Sequence, residues 1–162
     1  LNNYQFVGTE AILYGAEFSG ELQFLTNFVI DLSMSYTIAE RKVSEQEQAN
    51  TGINSDTRPL PQIPPFKTKT SLKYSKGGFE IGSRVRFSGK QDRTGEFETP
   101  TESYTLVDAF SQYRLEGKSL LHTFSLNVNN LLNQEYYDHL SRIKDLRPQP
   151  GINVSLLYRV YF

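Results

Sequence analysis

The sequence predicts an all-β protein built of long antiparallel strands, each with one apolar and one polar face. Three observations carry this. Apolar residues recur at a period of two over stretches of about ten residues, which sorts side chains onto the faces of a strand and scatters them around a helix. Short turn-forming segments separate these stretches in pairs. Finally, the 162 residues are only 38% hydrophobic but 13% aromatic, with 11 Phe and 10 Tyr. The aromatic share argues against disorder, and the low apolar share means that apolar residues are spread one face at a time.

The elements follow in order. In Gly15–Phe24, Ala16, Phe18, Gly20, Leu22 and Phe24 share a face, opposite Glu17, Ser19, Glu21 and Gln23. Leu25–Asn27 is a turn. Phe28, Ile30, Leu32, Met34, Tyr36 and Ile38 then alternate with Val29, Asp31, Ser33, Ser35 and Thr37. From Phe66 to Ser75, Phe66, Thr68, Thr70, Leu72 and Tyr74 oppose Lys67, Lys69, Ser71, Lys73 and Ser75. Lys76–Gly78 is a turn, and Phe79, Ile81, Ser83, Val85 and Phe87 then oppose Glu80, Gly82, Arg84, Arg86 and Ser88. Tyr104–Leu115 alternates less cleanly; Val107, Ala109 and Tyr113 are assigned to the apolar face, with Asp108 and Arg114 opposite. After the Glu116–Ser119 turn, His122, Phe124, Leu126 and Val128 oppose Thr123, Ser125, Asn127 and Asn129. The last strand puts Ile152, Val154, Leu156, Tyr158, Val160 and Phe162 opposite Asn153, Ser155 and Arg159. Seven strands result. No helix is predicted, beyond room for one turn at Asn130–Tyr136.

Periodicity alone admits two assemblies. A soluble sandwich or barrel turns the apolar face inward, as in a lipocalin-like small-ligand-binding module. An outer-membrane barrel turns it outward to lipid and lines its lumen with the polar face. Strand length favours the membrane, because nine to eleven tilted residues cross a bilayer. Loop parity does so too: the connections at Leu25–Asn27, Lys76–Gly78 and Glu116–Ser119 are tight, while Glu40–Pro65, Gly89–Ser103 and Leu131–Pro150 are long and polar. Aromatic residues gather near strand ends, where a membrane barrel carries its girdles. An odd number of strands leaves such a barrel incomplete, so further strands are expected before Leu1.

Several function classes fall away. The formal net charge is −1, from 17 Lys plus Arg and 18 Asp plus Glu, which lacks the basic excess of a nucleic-acid binder. Cysteine is absent, so no disulfide, thiolate metal site or cysteine nucleophile exists in this chain. Asp138, His139 and Ser141 are too close in sequence for a catalytic triad, and Glu96 and Glu98 sit in a long loop. No enzyme activity and no cofactor are expected.

At this point the sequence resembles a known family. Ile12–Leu22 (ILYGAEFSGEL), Leu60–Lys67 (LPQIPPFK), Glu98–Leu115 (ETPTESYTLVDAFSQYRL), Leu126–Ser141 (LNVNNLLNQEYYDHLS) and Pro148–Phe162 (PQPGINVSLLYRVYF) resemble, in order and spacing, late strands of TonB-dependent outer-membrane receptors. The resemblance implies that residues 1–162 are the C-terminal part of a 22-stranded transmembrane β-barrel, without the plug domain and the earlier strands. It implies a place in the outer membrane of a Gram-negative bacterium, contact with lipid, and import of a metal chelate, a ferric siderophore foremost, with zinc, copper or another nutrient as alternatives. The TonB complex would act through the missing plug. The barrel-assembly machinery would read the last strand through Phe162, Val160 and Tyr158. An isolated piece would self-associate through open strand edges.

The sites expected for ligand contact are Tyr136, Tyr137, Asp138 and His139 in the last long loop, with Lys69, Arg84 and Arg86 on the polar face. Lys67, Lys69, Lys73, Arg84 and Arg86 form either an anion-attracting stripe or a charge-balanced wall paired with Glu17, Glu21, Asp31 and Glu80. His139 is kept as a metal ligand candidate against the plainer reading of a hydrogen-bonded loop residue. Asn127, Asn129 and Asn130 are read as hydrogen bonders where the strand ends.

Overall fold

The computed structural model describes residues 8–52 and 54–162. The alternating segments become β1 (Ala11–Phe24), β2 (Phe28–Lys42), β4 (Lys67–Lys76), β5 (Phe79–Ser88), β6 (Tyr104–Glu116), β7 (Leu121–Asn129) and β8 (Asn153–Tyr161). They pair antiparallel in chain order into one sheet, in which the short β3 (Thr57–Pro59) adds to the far end of β2. The sheet therefore has eight strands where seven are expected from sequence. Three residues are too few for an alternation to register. The sheet does not close: β1 and β8 each keep one edge unpaired among the described residues.

The first long connection also holds a helix that periodicity does not predict, α1 (Glu45–Thr51). Ser44 caps it by accepting from the Glu47 N–H at 3.2 Å, and Gly52 closes it at φ 69° with its N–H on the Gln48 carbonyl. Ser44-Glu45-Gln46-Glu47 has the Ser-x-x-Glu order of a capping box. That signal is legible in the sequence, but a seven-residue helix has no room for an apolar stripe. Asn130–Tyr136 forms no helix; it contains a turn held by Asn130 and Asn133, with φ near 52° and 51°.

Register settles the facing of each strand, since directly opposed residues share a face. Phe18 pairs with Met34, Leu22 with Ile30, Thr70 with Val85, Val85 with Val107, and Leu126 with Leu156. On the other face Ser71 pairs with Arg84, and Arg84 with Asp108. Val107, Ala109 and Tyr113 on β6 thus lie on the apolar face, and Asp108 and Arg114 on the polar one. Phe110 falls on the polar face opposite Gly82. A Cβ at Gly82 would meet the Phe110 ring at 2.4 Å, so only glycine lets that ring lie across β5. The tight turn after β4 uses Gly77 and Gly78 at φ 56° and 80°, the conformation that a two-residue hairpin requires.

The apolar face has nothing over it. Phe18, Leu22 and Leu156 are 54%, 63% and 77% exposed, and Ile81, Phe124 and Leu126 are exposed as well. Among the described residues the buried apolar side chains are Ala39, Val43 and Leu106. The accessible surface is 11939 Å², against roughly 8,200 Å² for a globular monomer of 18.6 kDa. A soluble module that hides Phe18, Leu22, Leu126 and Leu156 inside is thereby ruled out.

Aromatic side chains ring this face at two heights. On β2, Phe28 and Tyr36 are eight residues apart. Phe66 and Tyr74 keep the same interval across the start and end of β4, as do Phe79 and Phe87 on β5. Eight residues span roughly 26 Å along a strand, or roughly 20 Å once it is tilted by about 40°, close to the ~25 Å band of an outer-membrane barrel. At the tight-turn end the rings touch. Phe24 stacks on Phe28 at 5.5 Å, Phe28 meets Tyr74 at 4.9 Å, and Phe124 stacks on Tyr158 at 4.8 Å, with His122 Nδ1 on the Tyr158 hydroxyl at 2.8 Å.

Candidate functional site

The three long connections leave the same edge of the sheet, and the last of them folds back over the polar face. Its anchor is Asp108. The Arg86 guanidinium grips this buried carboxylate with two hydrogen bonds of 2.7 and 2.9 Å, and the Asn130 N–H donates to it at 2.9 Å. Asn130 then exchanges hydrogen bonds with Gln134 at 2.8 Å, and Asn133 Oδ1 accepts from the Ile152 N–H at 2.9 Å, which fixes the start of β8. Sequence places Asn130 correctly among the strand-end hydrogen bonders. Asp108 escapes it, because nothing local reveals that a carboxylate on β6 will meet both β5 and the β7 exit.

Further out, Asp138 reaches down to the sheet. Lys67 Nζ and the Tyr104 hydroxyl both lie 3.3 Å from Asp138 Oδ2, and the Leu140 N–H donates to Oδ1 at 2.9 Å. Burial pushes the Asp138 carboxyl up, but the Leu140 N–H and the Lys67 ammonium outweigh it and hold it below the usual carboxylate range. Tyr136 packs on Tyr104 with ring centres 4.6 Å apart. Beside these groups the polar face carries an open cleft of about 630 Å³, lined among others by Glu17, Lys67, Lys69, Arg86, Tyr104 and Asp138.

The expected site residues divide accordingly. Lys69, Arg86 and Asp138 line the cleft, and Tyr136 backs its Tyr104 wall. Tyr137 lies apart, its hydroxyl on Glu135. Arg84 lies over the Phe110 ring at 5.5 Å. Two of the five basic residues of the stripe are paired, and by other partners than Glu17, Glu21, Asp31 and Glu80: Arg86 with Asp108 and Lys67 with Asp138. Asp31 accepts instead from Ser71, and Glu80 from Ser75. Lys69, Lys73 and Arg84 form no ion pair among the described residues.

His139 occupies a buried cluster that joins the three long connections. Its side chain is 1% exposed, and those of Glu98 and Lys144 are each 8% exposed. Nε2 lies 3.1 Å from Glu98 Oε1; Nδ1 lies 3.0 Å from Thr101 Oγ1 and 3.2 Å from Lys144 Nζ. Lys144 can only donate, so Nδ1 is the acceptor and the ring is neutral, with its proton on Nε2; Glu98 lies close to that nitrogen but off the line of its N–H, so Nε2 makes no hydrogen bond among the described residues. Burial and the neighbouring Lys144 hold the His139 pKa below its ordinary value, against the opposing pull of Glu98 and Asp138. Glu98 also accepts from the Gln62 N–H and the Gly95 N–H, each at 3.0 Å, and Lys144 donates to the Thr99 carbonyl at 2.7 Å. Glu98, read from sequence only as part of a long loop, thus has a buried side chain. No group of three or more His, Asp or Glu arranged to hold a metal occurs among the described residues.

A second cluster braces the far end of β2. Arg41 holds Glu47 of α1 with two hydrogen bonds of 2.6 and 2.7 Å, and Arg58 of β3 adds a third at 3.2 Å. Glu96 of the next loop lies 3.8 Å from Arg41 and 3.9 Å from Arg58.

Comparison with known proteins agrees with this architecture. Among solved structures, the fold is similar to a protein named "Copper transporter OprC", with a TM-score of 0.72 and 25% sequence identity over 94% of this chain. The chain spans 23% of the length of that protein. No curated protein matches the sequence. The sequence model of the family described as "TonB dependent receptor-like, beta-barrel" matches residues 2–131. With its lipid-ready outer face, polar inner face and sorted loops, the chain belongs to the TonB-dependent receptor family, as part of the β-barrel in the outer membrane of a Gram-negative bacterium.

Proposed function

We propose that the chain forms part of a receptor that imports a metal complex across the outer membrane with energy supplied by TonB. The observation that carries this reading is the open cleft on the lumen face, touched by Asp138 of the last long loop and bearing the unpaired Lys69, in a chain of this family. Likeness to a copper transporter supports a metal as cargo. A bare copper ion finds few soft ligands in this stretch: Cys is absent, Met34 and His122 face outward, and His139 is enclosed. A chelate, with the ferric siderophore first, fits a wall of Lys69, Arg86, Asp138 and Tyr136 better, because such a wall contacts the chelator and not the metal. TonB would act through a plug outside this chain. Phe162, Val160 and Tyr158, the outward residues at the end of edge strand β8, are the proposed signal for barrel assembly. Catalysis has no part in this reading.

The test uses the complete receptor in metal-starved cells, with a radiolabelled ferric siderophore and radiolabelled copper supplied separately. Lys69→Glu is expected to lower uptake of the siderophore several-fold at unchanged surface level, and deletion of Phe162 to lower the surface level itself. Loss of copper uptake alone would move the assignment to copper. Uptake of both probes unchanged on deleting the receptor would refute the transport reading.

A further inference from the structure

We propose that Glu98, His139 and Lys144 form an acid-sensitive clasp that ties the last long external loop to the one before it. The cluster draws on all three loops. Glu98, Thr99 and Thr101 come from the β5–β6 connection and His139 and Lys144 from the β7–β8 connection, while the β2–β4 connection contributes the Gln62 N–H on Glu98. At neutral pH its charges cancel as one carboxylate, one ammonium and one neutral ring. The bare Nδ1 then faces two donors, Thr101 and Lys144, while the Glu98 carboxylate lies 3.1 Å from Nε2 without a hydrogen bond.

Protonation reverses one of these contacts. A proton on Nδ1 faces the Lys144 ammonium at 3.2 Å, so an acceptor becomes a like charge in a buried site. Thr101 can adapt, because its hydroxyl rotates to accept. Lys144 cannot, since it carries donors only. The contact to Glu98 strengthens at the same time. Acid therefore keeps His139 on Glu98 and expels Lys144, freeing the turns over 141–147 while the Asp138 anchor on Lys67 and Tyr104 stays in place. The charged groups facing the ring are Glu98 from the neighbouring loop, and Lys144 and Asp138 from its own; Asp145, beside Lys144, bonds to Thr99 and also belongs to the released segment.

The clasp does not depend on the identity of the cargo, and its test needs no uptake. A nitroxide on Leu146→Cys, in the complete receptor without other cysteines, reports loop mobility in isolated outer membranes. Leu146 is exposed, so the label displaces nothing. The spectrum is expected to be immobile at pH ~7.5, with a mobile component that grows as the pH falls below about 6.5. His139→Gln, which can still accept from Lys144 but cannot take up a proton, is expected to stay immobile throughout. Lys144→Met is expected to lose the pH dependence as well, and it serves if the glutamine variant does not assemble. A wild-type spectrum unchanged down to pH ~5, or the same acid transition in the variants, would overturn the proposal.

Discussion

At the residue scale, the charges in this molecule act by holding loops. Glu47 shows how. The Arg41 hydrogen bond draws its carboxyl down to about 2, with Arg58 helping and desolvation opposing. A carboxyl held below its free value of 4.5 stabilises the folded form above that value, and the contribution is lost as pH falls toward about 2. Hydrogen exchange should therefore find α1 protected at pH ~5 and opening toward pH ~2, and Arg41→Met should open it already at neutral pH. Protection that does not change across this range would mean that the helix is held by something other than its arginines. These charges were only partly legible in the sequence. Lys67, Lys69 and Arg86 announced themselves by alternation. Their true partners, Asp108 and Asp138, lie 22 and 71 residues away from Arg86 and Lys67, and no spacing rule reaches that far.

At the scale of the element, the strands were legible because a strand has a period of two and one face had to be apolar from end to end. Even the weaker β6 could be faced from Val107, Ala109 and Tyr113, although Leu106 and Phe110 break its pattern. Both answer to tertiary demands: Leu106 is buried on the polar face, and Phe110 covers Gly82. The outward faces predict a specific cost. Leu156 stands opposite Leu126 on an edge strand at mid-depth, two rows from the Phe124–Tyr158 aromatic pair at one side. Leu156→Arg is expected to destabilise the membrane-inserted form by ~2–4 kcal/mol, as read by denaturant titration in lipid vesicles. A neutral result would mean that the assigned outward face does not meet the bilayer. The short elements α1 and β3 were missed for a common reason: seven and three residues are too few to display a period, and only the Ser44–Glu47 cap pattern marked the helix.

At the scale of the whole molecule, the decisive quantity is the uncovered apolar face. A sheet with three buried apolar side chains among its described residues cannot hold itself together in water as a globular domain does. The bilayer on one face and strand partners at the free edges of β1 and β8 are expected to supply the missing contacts. The chain on its own is accordingly expected to need detergent or lipid for a β-rich, heat-modifiable state, and to associate through β1 and β8 when it lacks them. Circular dichroism and gel mobility with and without detergent check this. A monodisperse, β-rich monomer in plain buffer would contradict the exposed face and the membrane assignment together.

The amino-acid sequence by itself determined the fold class, the two faces of each long strand, the sorting of tight and long connections, and the family. The first three rest on local alternation and turn chemistry, which neighbouring residues carry among themselves; the family rests on the resemblance of five stretches in order and spacing. Tertiary structure decided what the charges do. Asp108 binds Arg86 to the β7 exit, Asp138 docks the last loop on Lys67 and Tyr104, and His139 sits locked between Glu98 and Lys144. Each of these contacts exists only because sheet register and loop return bring distant residues within hydrogen-bond reach, and a linear pattern holds no record of that distance.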